Sequence, residues 1–195
     1  MTQLILASGS PRRKELLEQI GLVFTVKVSH VDETIPLGMT PEEIVMHLAS
    51  TKAAAVAQSD ENSFVVGADT VVVLDGEILG KPNDRREAKE MLHRLSGCTH
   101  AVYTGVAVRH KAKEHVFFEK TNVTFWELTE EEINGYLDTE EPFDKAGAYG
   151  IQGAGAVLVK KIDGDYFSVV GLPLSSLYRQ LKQLGWQGTA FHFPS

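Results

Sequence analysis

The chain has 195 residues, 43% of them apolar and 23% charged, and 19 Lys+Arg against 26 Asp+Glu leave a net charge of −7. This is the composition of an ordinary soluble domain, and a chain of this length buries roughly 70% of the surface its unfolded form exposes, so it needs no staple. The acidic balance excludes a broad electrostatic face for nucleic acid or an anionic membrane, and a polyanion could bind only where the few cations gather.

Cys98 is the only cysteine, which excludes an intramolecular disulfide and any zinc site built on cysteines. It reads as a small packing residue or a surface thiol. No apolar run approaches the roughly 18 residues of a membrane span. Met1 to Ser10 lacks the basic start and long apolar stretch of a signal peptide, so a cytoplasmic location is expected.

Short apolar runs alternate with amphipathic segments, the pattern of an α/β fold. Leu4-Ile5-Leu6 predicts a buried strand, and Ala7-Ser8-Gly9-Ser10 a loop of small residues. Ser10 as N-cap and Pro11 at the first position open a helix to about Ile20, which Gly21 ends. Phe24, Val26 and Val28 alternate as in a strand. Thr40-Pro41-Glu42-Glu43 is a capping box for a helix carrying Ile44, Val45, Leu48, Ala49, Ala53 and Val56. Phe64 to Leu74 predicts a long strand, turned at Asp75-Gly76 into Ile78-Leu79.

A helix from Asp84 to Leu95 and strands near 99–109 and 114–126 follow. Thr129-Glu130-Glu131-Glu132 opens a short helix. Asp163-Gly164-Asp165 reads as the turn of a hairpin between 157–162 and 166–170. Leu172-Pro173 opens the last helix, and the tail after Gly185 reads as loosely held. The order predicts a mixed sheet flanked by helices in one domain over 1–195, without a linker that marks a clean boundary. A break near 80–100 or 127–140 would leave both ends on one sheet.

The basic loop Leu6-Ala7-Ser8-Gly9-Ser10-Pro11-Arg12-Arg13-Lys14 is the strongest local signal. A strand, a loop of small residues and a helix start offer backbone N–H groups and a positive helix end to an anion. Cations there oppose the helix dipole at a cost of about 0.3 kcal/mol each, which points to an anionic partner. The arginine fork suits phosphate. No Walker A motif occurs.

Asp69 interrupts an apolar strand beside Thr70, and Gly67 allows a bulge or a close backbone approach there. Such a carboxylate either caps a turn, holds a divalent cation or activates water. Lys52 falls in the stripe Ile44, Leu48, Lys52, Val56, where it either snorkels or points into a site. Lys81 follows a strand and reads as a loop lysine or a ligand. Asp32 and Glu33 are loop carboxylates or metal ligands. The Gly-rich stretch 144–153 would let backbone approach a flat ligand, with Gln152 as an amide reader. The seven histidines show no metal-binding spacing, no G-x-S-x-G serine occurs, and Trp126 and Trp186 read as packing residues.

Leu6 to Arg13, Gly67-Ala68-Asp69-Thr70, Gly80-Lys81-Pro82, Leu95-Ser96-Gly97, Asp144 to Gly153 and Val170-Gly171-Leu172-Pro173 occur in this order. Together they resemble the Maf family of nucleoside triphosphate pyrophosphatases over about residues 3–184. The resemblance implies an elongated mixed sheet with helices, two lobes and a cleft, similar to inosine triphosphate pyrophosphatase. It implies hydrolysis of a nucleoside triphosphate to the monophosphate and pyrophosphate.

Arg12, Thr70 and Gln152 match the branch that acts on dTTP and UTP, and not the sister branch that prefers 7-methyl-GTP. The resemblance makes Asp69 the proton acceptor, and Arg12, Thr70 and Gln152 the specificity positions. Ser8, Arg13, Lys52 and Lys81 become triphosphate ligands, with Lys145 as a further cation at the cleft. Glu33 and Asp69 become carboxylates for a divalent cation, Mg2+ or Mn2+, with Asp32 beside Glu33 in the alignment. A homodimer is implied, and no nucleic-acid or membrane partner. The alternative is a non-catalytic nucleotide-binding regulator of cell division and septum formation.

Overall fold

The computed structural model describes residues 3–190. In chain order its regular elements are β1 (Leu4–Leu6), α1 (Pro11–Gln19), β2 (Thr25–Val26), α2 (Pro41–Ala57), β3 (Phe64–Leu74), β4 (Glu77–Leu79) and α3 (Arg85–Leu95). They continue with β5 (Thr99–His110), β6 (Lys113–Phe125), α4 (Glu130–Leu137), β7 (Val159–Asp163), α5 (Tyr166–Val170) and α6 (Leu174–Gln183). Three 3-10 turns, Glu141–Asp144, Ala146–Ala148 and Gly153–Leu158, fill the stretch between α4 and β7. The strands form one sheet in the order β2-β1-β3-β5-β6-β7, with β4 on β3. It is mixed, as predicted: β1 pairs in parallel with β2 and β3, while β4 on β3 and β7 on β6 are antiparallel.

Local chemistry explains most boundaries. Both capping boxes form, with Thr40 and Glu43 exchanging bonds at α2 and Thr129 and Glu132 at α4. Each cap is worth about 1 kcal/mol. Asp75 and Gly76 both have positive φ, 51° and 82°, as the predicted tight turn requires. Asp84 caps α3 through the Glu87 N–H.

The structure corrects four expectations. β2 is two residues long, because its partner β1 ends at Leu6 and the register pairs Leu6 with Val26. Val28 therefore has no ladder to join and is 53% exposed. The stretch after Asp163 is no hairpin: Asp165 Oδ1 accepts the N–H groups of Phe167 and Ser168 and starts α5. Trp186 is 4% exposed and its ring meets Tyr178 edge-on, so the chain after Gly185 is held on α6, while 191–195 lie outside the described residues. Trp126 is half-exposed, with the Lys160 ammonium 4.8 Å from its ring centroid, a cation–π contact in place of core packing.

The chain divides into two compact units, with crossings after Asp69, Tyr103, Glu119 and Val170. The first holds the described residues up to Asp69, Thr104–Glu119 and those from Gly171 onward. Its core packs Ala49, Ala53 and Val56 of α2 against Ile5, Ala7, Val65 and Ala107. The small side chains let α2 sit directly on the strands. Gly67 and Gly105 form the seats: a Cβ on Gly67 would lie 2.2 Å from Ala49 O, and one on Gly105 2.3 Å from Val45 O.

The second unit, Thr70–Tyr103 with Lys120–Val170, has its own larger core. Val72, Leu74, Leu92, Leu95, Phe125, Ile133, Leu137 and Leu158 are buried there together. The segment 144–153 is tied to the turn after β4 by Gly147 N–H donating to Gly80 O at 3.0 Å. Gly147 has φ 70°, and a Cβ there would reach Val72 at 3.0 Å, so this position needs glycine.

Candidate active site

The first unit assembles a charged centre around Lys52. Its ammonium lies 2.7 Å from Asp69 Oδ1 and 3.1 Å from Glu33 Oε1. Both Lys52 and Asp69 are largely buried, at 12% and 13% side-chain exposure, while Glu33 is 55% exposed. Lys52 thus neither snorkels nor packs idly in its stripe; it points at a strand carboxylate. Glycine explains the reach, because the seat at Gly67 brings α2 onto β3 two residues before Asp69.

The start of α1 supplies the second half of the centre. Arg13 donates from Nη1 to Ser8 Oγ at 3.1 Å and from Nε to Gly171 O at 2.8 Å. Ser8 Oγ also accepts the Ser10 N–H. Ser10 takes the predicted N-cap position, but its hydroxyl makes no capping bond, and the first turn has no acidic residue. The helix N-terminus therefore keeps its positive end without an internal carboxylate.

Burial pushes the Arg13 guanidinium below its ordinary value; the Asp69 charge opposes this, Arg12 adds to it and Glu33 opposes it. Asp69, Arg12 and Glu33 therefore all lie within electrostatic reach of Arg13. Lys14, the third cation of the basic loop, turns away and pairs with Glu18 at 3.5 Å.

Ser8, Arg12, Arg13, Glu33, Lys52 and Asp69 thus gather within one unit. The two neighbouring carboxylates part company there. Asp32 Oδ1 accepts from the backbone N–H and hydroxyl of Thr34, which hold its carboxyl below the usual range. Glu33 is the one that reaches Lys52.

Thr70, Lys81 and Gln152 belong to the second unit. Thr70 follows Asp69 directly in β3, Lys81 is exposed after β4, and Gln152 is half-buried. The Gly147–Gly80 hydrogen bond holds the chain before Lys81 beside the chain before Gln152. Lys145 is committed inside its own segment, to Glu141 O and Asp144 Oδ1, both at 2.6 Å.

No group of three or more His, Cys, Asp or Glu converges among the described residues. Glu33 and Asp69 alone share a centre, through Lys52. One or two carboxylates are what a magnesium-type ion takes from protein when phosphate and water complete its shell. The donor set fits an ion that arrives with a phosphate ligand, not a closed protein site.

The close backbone approach expected at Gly67 is present, as the seat under α2. The seat at Gly105 and the Gly171 carbonyl, within Val170-Gly171-Leu172-Pro173, escape the sequence reading. Their use depends on long-range contacts that spacing does not reveal. No helix among the described residues is long and apolar enough to cross a membrane.

The family described as Maf-like protein matches residues 3–184. A dTTP/UTP pyrophosphatase of Bacillus cytotoxicus is 62% identical over 183 residues, 94% of this chain and 96% of that protein. A dTTP/UTP pyrophosphatase of Bacillus anthracis is 59% identical over the same shares of the two chains. The solved structure of a HAM1 protein from Coxiella burnetii aligns with 94% of this chain and all of its own, with 16% identity and a TM-score of 0.53. That likeness shows a shared fold. With the family matching nearly its whole length, the chain belongs to the Maf family.

Proposed function

We propose that this protein is a nucleoside triphosphate pyrophosphatase that hydrolyses dTTP and UTP to the monophosphate and pyrophosphate. The observation that carries the reading is the Lys52–Asp69 pair beside the Arg13–Ser8 helix start. Cations, a helix N-terminus and a strand carboxylate are the parts that phosphoanhydride hydrolysis needs. The names of the relatives at about 60% identity support the substrate class.

In the proposed reaction, a water oxygen bonds to the α-phosphorus and the α–β anhydride bond breaks. The bonding electrons leave with pyrophosphate, and the water proton passes to the Asp69 carboxylate. Arg13, Ser8, Lys52 and Lys81 hold the phosphates, and Arg13 and Lys52 offset charge on the leaving group. Lys52 is placed to exchange a carboxylate partner for a phosphate oxygen, which releases Asp69 toward water. Glu33 and Asp69 would hold Mg2+ or Mn2+ arriving with the nucleotide, and the ion would supply charge neutralisation. Arg12, Thr70 and Gln152 are assigned to specificity. The Gln152 amide has an acceptor and donors that complement a pyrimidine carbonyl and N–H.

Pyrophosphate release from a panel of nucleotides with Mg2+ or Mn2+ tests the reading. Turnover of dTTP and UTP, lost in Asp69→Asn, is expected. Orthophosphate as the product would make the protein a phosphatase. Binding of dTTP without turnover would favour the regulator.

A further inference from the structure

His100 is 2% exposed, and its Nδ1 has no hydrogen-bond partner. Its other nitrogen, Nε2, lies 2.7 Å from the hydroxyl of Tyr149. The two rings and Phe125 form an edge-to-face cluster, with centroids 5.1, 5.3 and 4.7 Å apart. A buried ring nitrogen without a partner costs stability, and an apolar residue at position 100 would avoid that cost. It would also leave the Tyr149 hydroxyl unpaired. The bond from His100 to Tyr149 is therefore what the histidine supplies.

That bond bears on a particular stretch of chain. Tyr149 precedes Gln152 by three residues, and Ile151 between them is buried. The next residue, Gly150, donates its N–H to the hydroxyl of buried Tyr136 at 3.0 Å. On the far side of Gln152, Ala154 N–H donates to Glu141 Oε1 at 3.0 Å. Gly155 packs so closely that a Cβ there would lie 2.0 Å from Gly150 O. His100 of β5 thus holds the Tyr149 side chain, Tyr136 of α4 holds the Gly150 N–H, and Glu141 holds the backbone after Gln152. Gln152 itself makes no such anchor; its backbone is extended, at φ −87° and ψ 167°.

We infer that His100 and Tyr149 are positioning residues for base selection, fixing the backbone from which the Gln152 amide reads the nucleobase. The inference rests on the reading of Gln152 as a specificity residue. An amide discriminates by the direction of its donors and acceptor, so a shift of its backbone changes selectivity before it changes the chemistry at phosphorus. Both positioning residues belong to the second unit, and each acts through the segment that carries Gln152.

The test compares kcat and KM for dTTP and dCTP in Tyr149→Phe, His100→Leu, His100→Gln and Gln152→Ala. Tyr149→Phe and His100→Leu are expected to lower the dTTP-to-dCTP ratio of kcat/KM by about tenfold, through KM, with kcat for dTTP little changed. His100→Gln places an amide near the Nε2 position and is expected to keep the ratio within about twofold of the parent. Unchanged ratios in Tyr149→Phe and His100→Leu, with a changed ratio in Gln152→Ala, overturn the positioning role alone. An unchanged ratio in Gln152→Ala removes the reader and the inference with it. If His100→Leu fails to fold, Tyr149→Phe, which removes one oxygen atom, decides.

Discussion

The Lys52 ammonium lies 2.7 Å from Asp69 Oδ1 and 3.1 Å from Glu33 Oε1, so one cation serves two carboxylates. Its removal leaves those carboxylates without their shared ammonium, with the Arg13 charge still acting on both. Lys52→Met is expected to destabilise the fold by about 2 kcal/mol and to raise KM for the nucleotide. Asp69→Asn keeps the shape and leaves Lys52 its bond to Glu33. It is expected to melt near the parent temperature while kcat falls by about 10²–10⁴. Thermal melts and steady-state kinetics on the two variants separate support of the fold from proton transfer. Equal kcat in Asp69→Asn and parent would remove the assigned role.

Arg13 spans two acceptors that are far apart in sequence, Ser8 Oγ and Gly171 O. Only a fork can satisfy both at once. Arg13→Lys keeps the charge and loses the fork, and kcat/KM is expected to fall by about 10²-fold. Ser8→Ala removes one acceptor only and is expected to cost less. Kinetics of the two variants check the order; a silent Arg13→Lys would show that charge alone suffices.

His100 makes stability depend on pH in a defined window. Burial lowers its value from 6.5 in the unfolded chain to about 4 in the folded one. At pH 7 the folded ring is neutral and the unfolded ring mostly so, and the group contributes little to the dependence. As pH falls through 6.5 the unfolded chain takes up a proton that the folded chain refuses, and stability drops until about pH 4. The full loss from this one group is about 3 kcal/mol. Urea unfolding at pH 7 and at pH 4.5 should show that His100→Gln, which has no ionisable ring, loses less stability on acidification than the parent. Equal losses would contradict the assignment.

Elements with a local cause were legible in the sequence. The capping boxes at Thr40 and Thr129, the turn at Asp75-Gly76 and the uninterrupted β3 follow from neighbours within a few residues. β2 was overdrawn because its length depends on where β1 ends, which alternation in Phe24, Val26 and Val28 cannot report. Asp163-Gly164-Asp165 misled because Asp165 serves a helix cap as readily as a turn. Lys52 and Asp69 each stood out as a polar residue in an apolar run. Their meeting could not be read, since it depends on α2 lying against β3. The spacing of the histidines offers no metal site, but spacing does not report a ring used for one hydrogen bond.

Two glycines give the last prediction, because the same substitution has opposite effects on them. Gly135 is exposed within α4, with no atom within 4 Å of an added Cβ. Gly135→Ala removes backbone freedom from the unfolded chain at no steric cost, and is expected to stabilise by about 0.5–1 kcal/mol. Gly67 lies under α2, where an added Cβ would fall 2.2 Å from Ala49 O and 2.8 Å from Ala53 N. Backbone atoms cannot swing aside as a flexible side chain can, so the helix must move. Gly67→Ala is expected to destabilise by about 3 kcal/mol. The displaced helix carries Lys52, and the strand beneath it carries Asp69, so the 2.7 Å contact opens with the seat. Activity should therefore fall in Gly67→Ala even at temperatures where the variant is fully folded, and remain at the parent level in Gly135→Ala. Urea unfolding and kcat/KM on the pair check both halves, and a folded Gly67→Ala with full activity would show that the centre tolerates movement of α2.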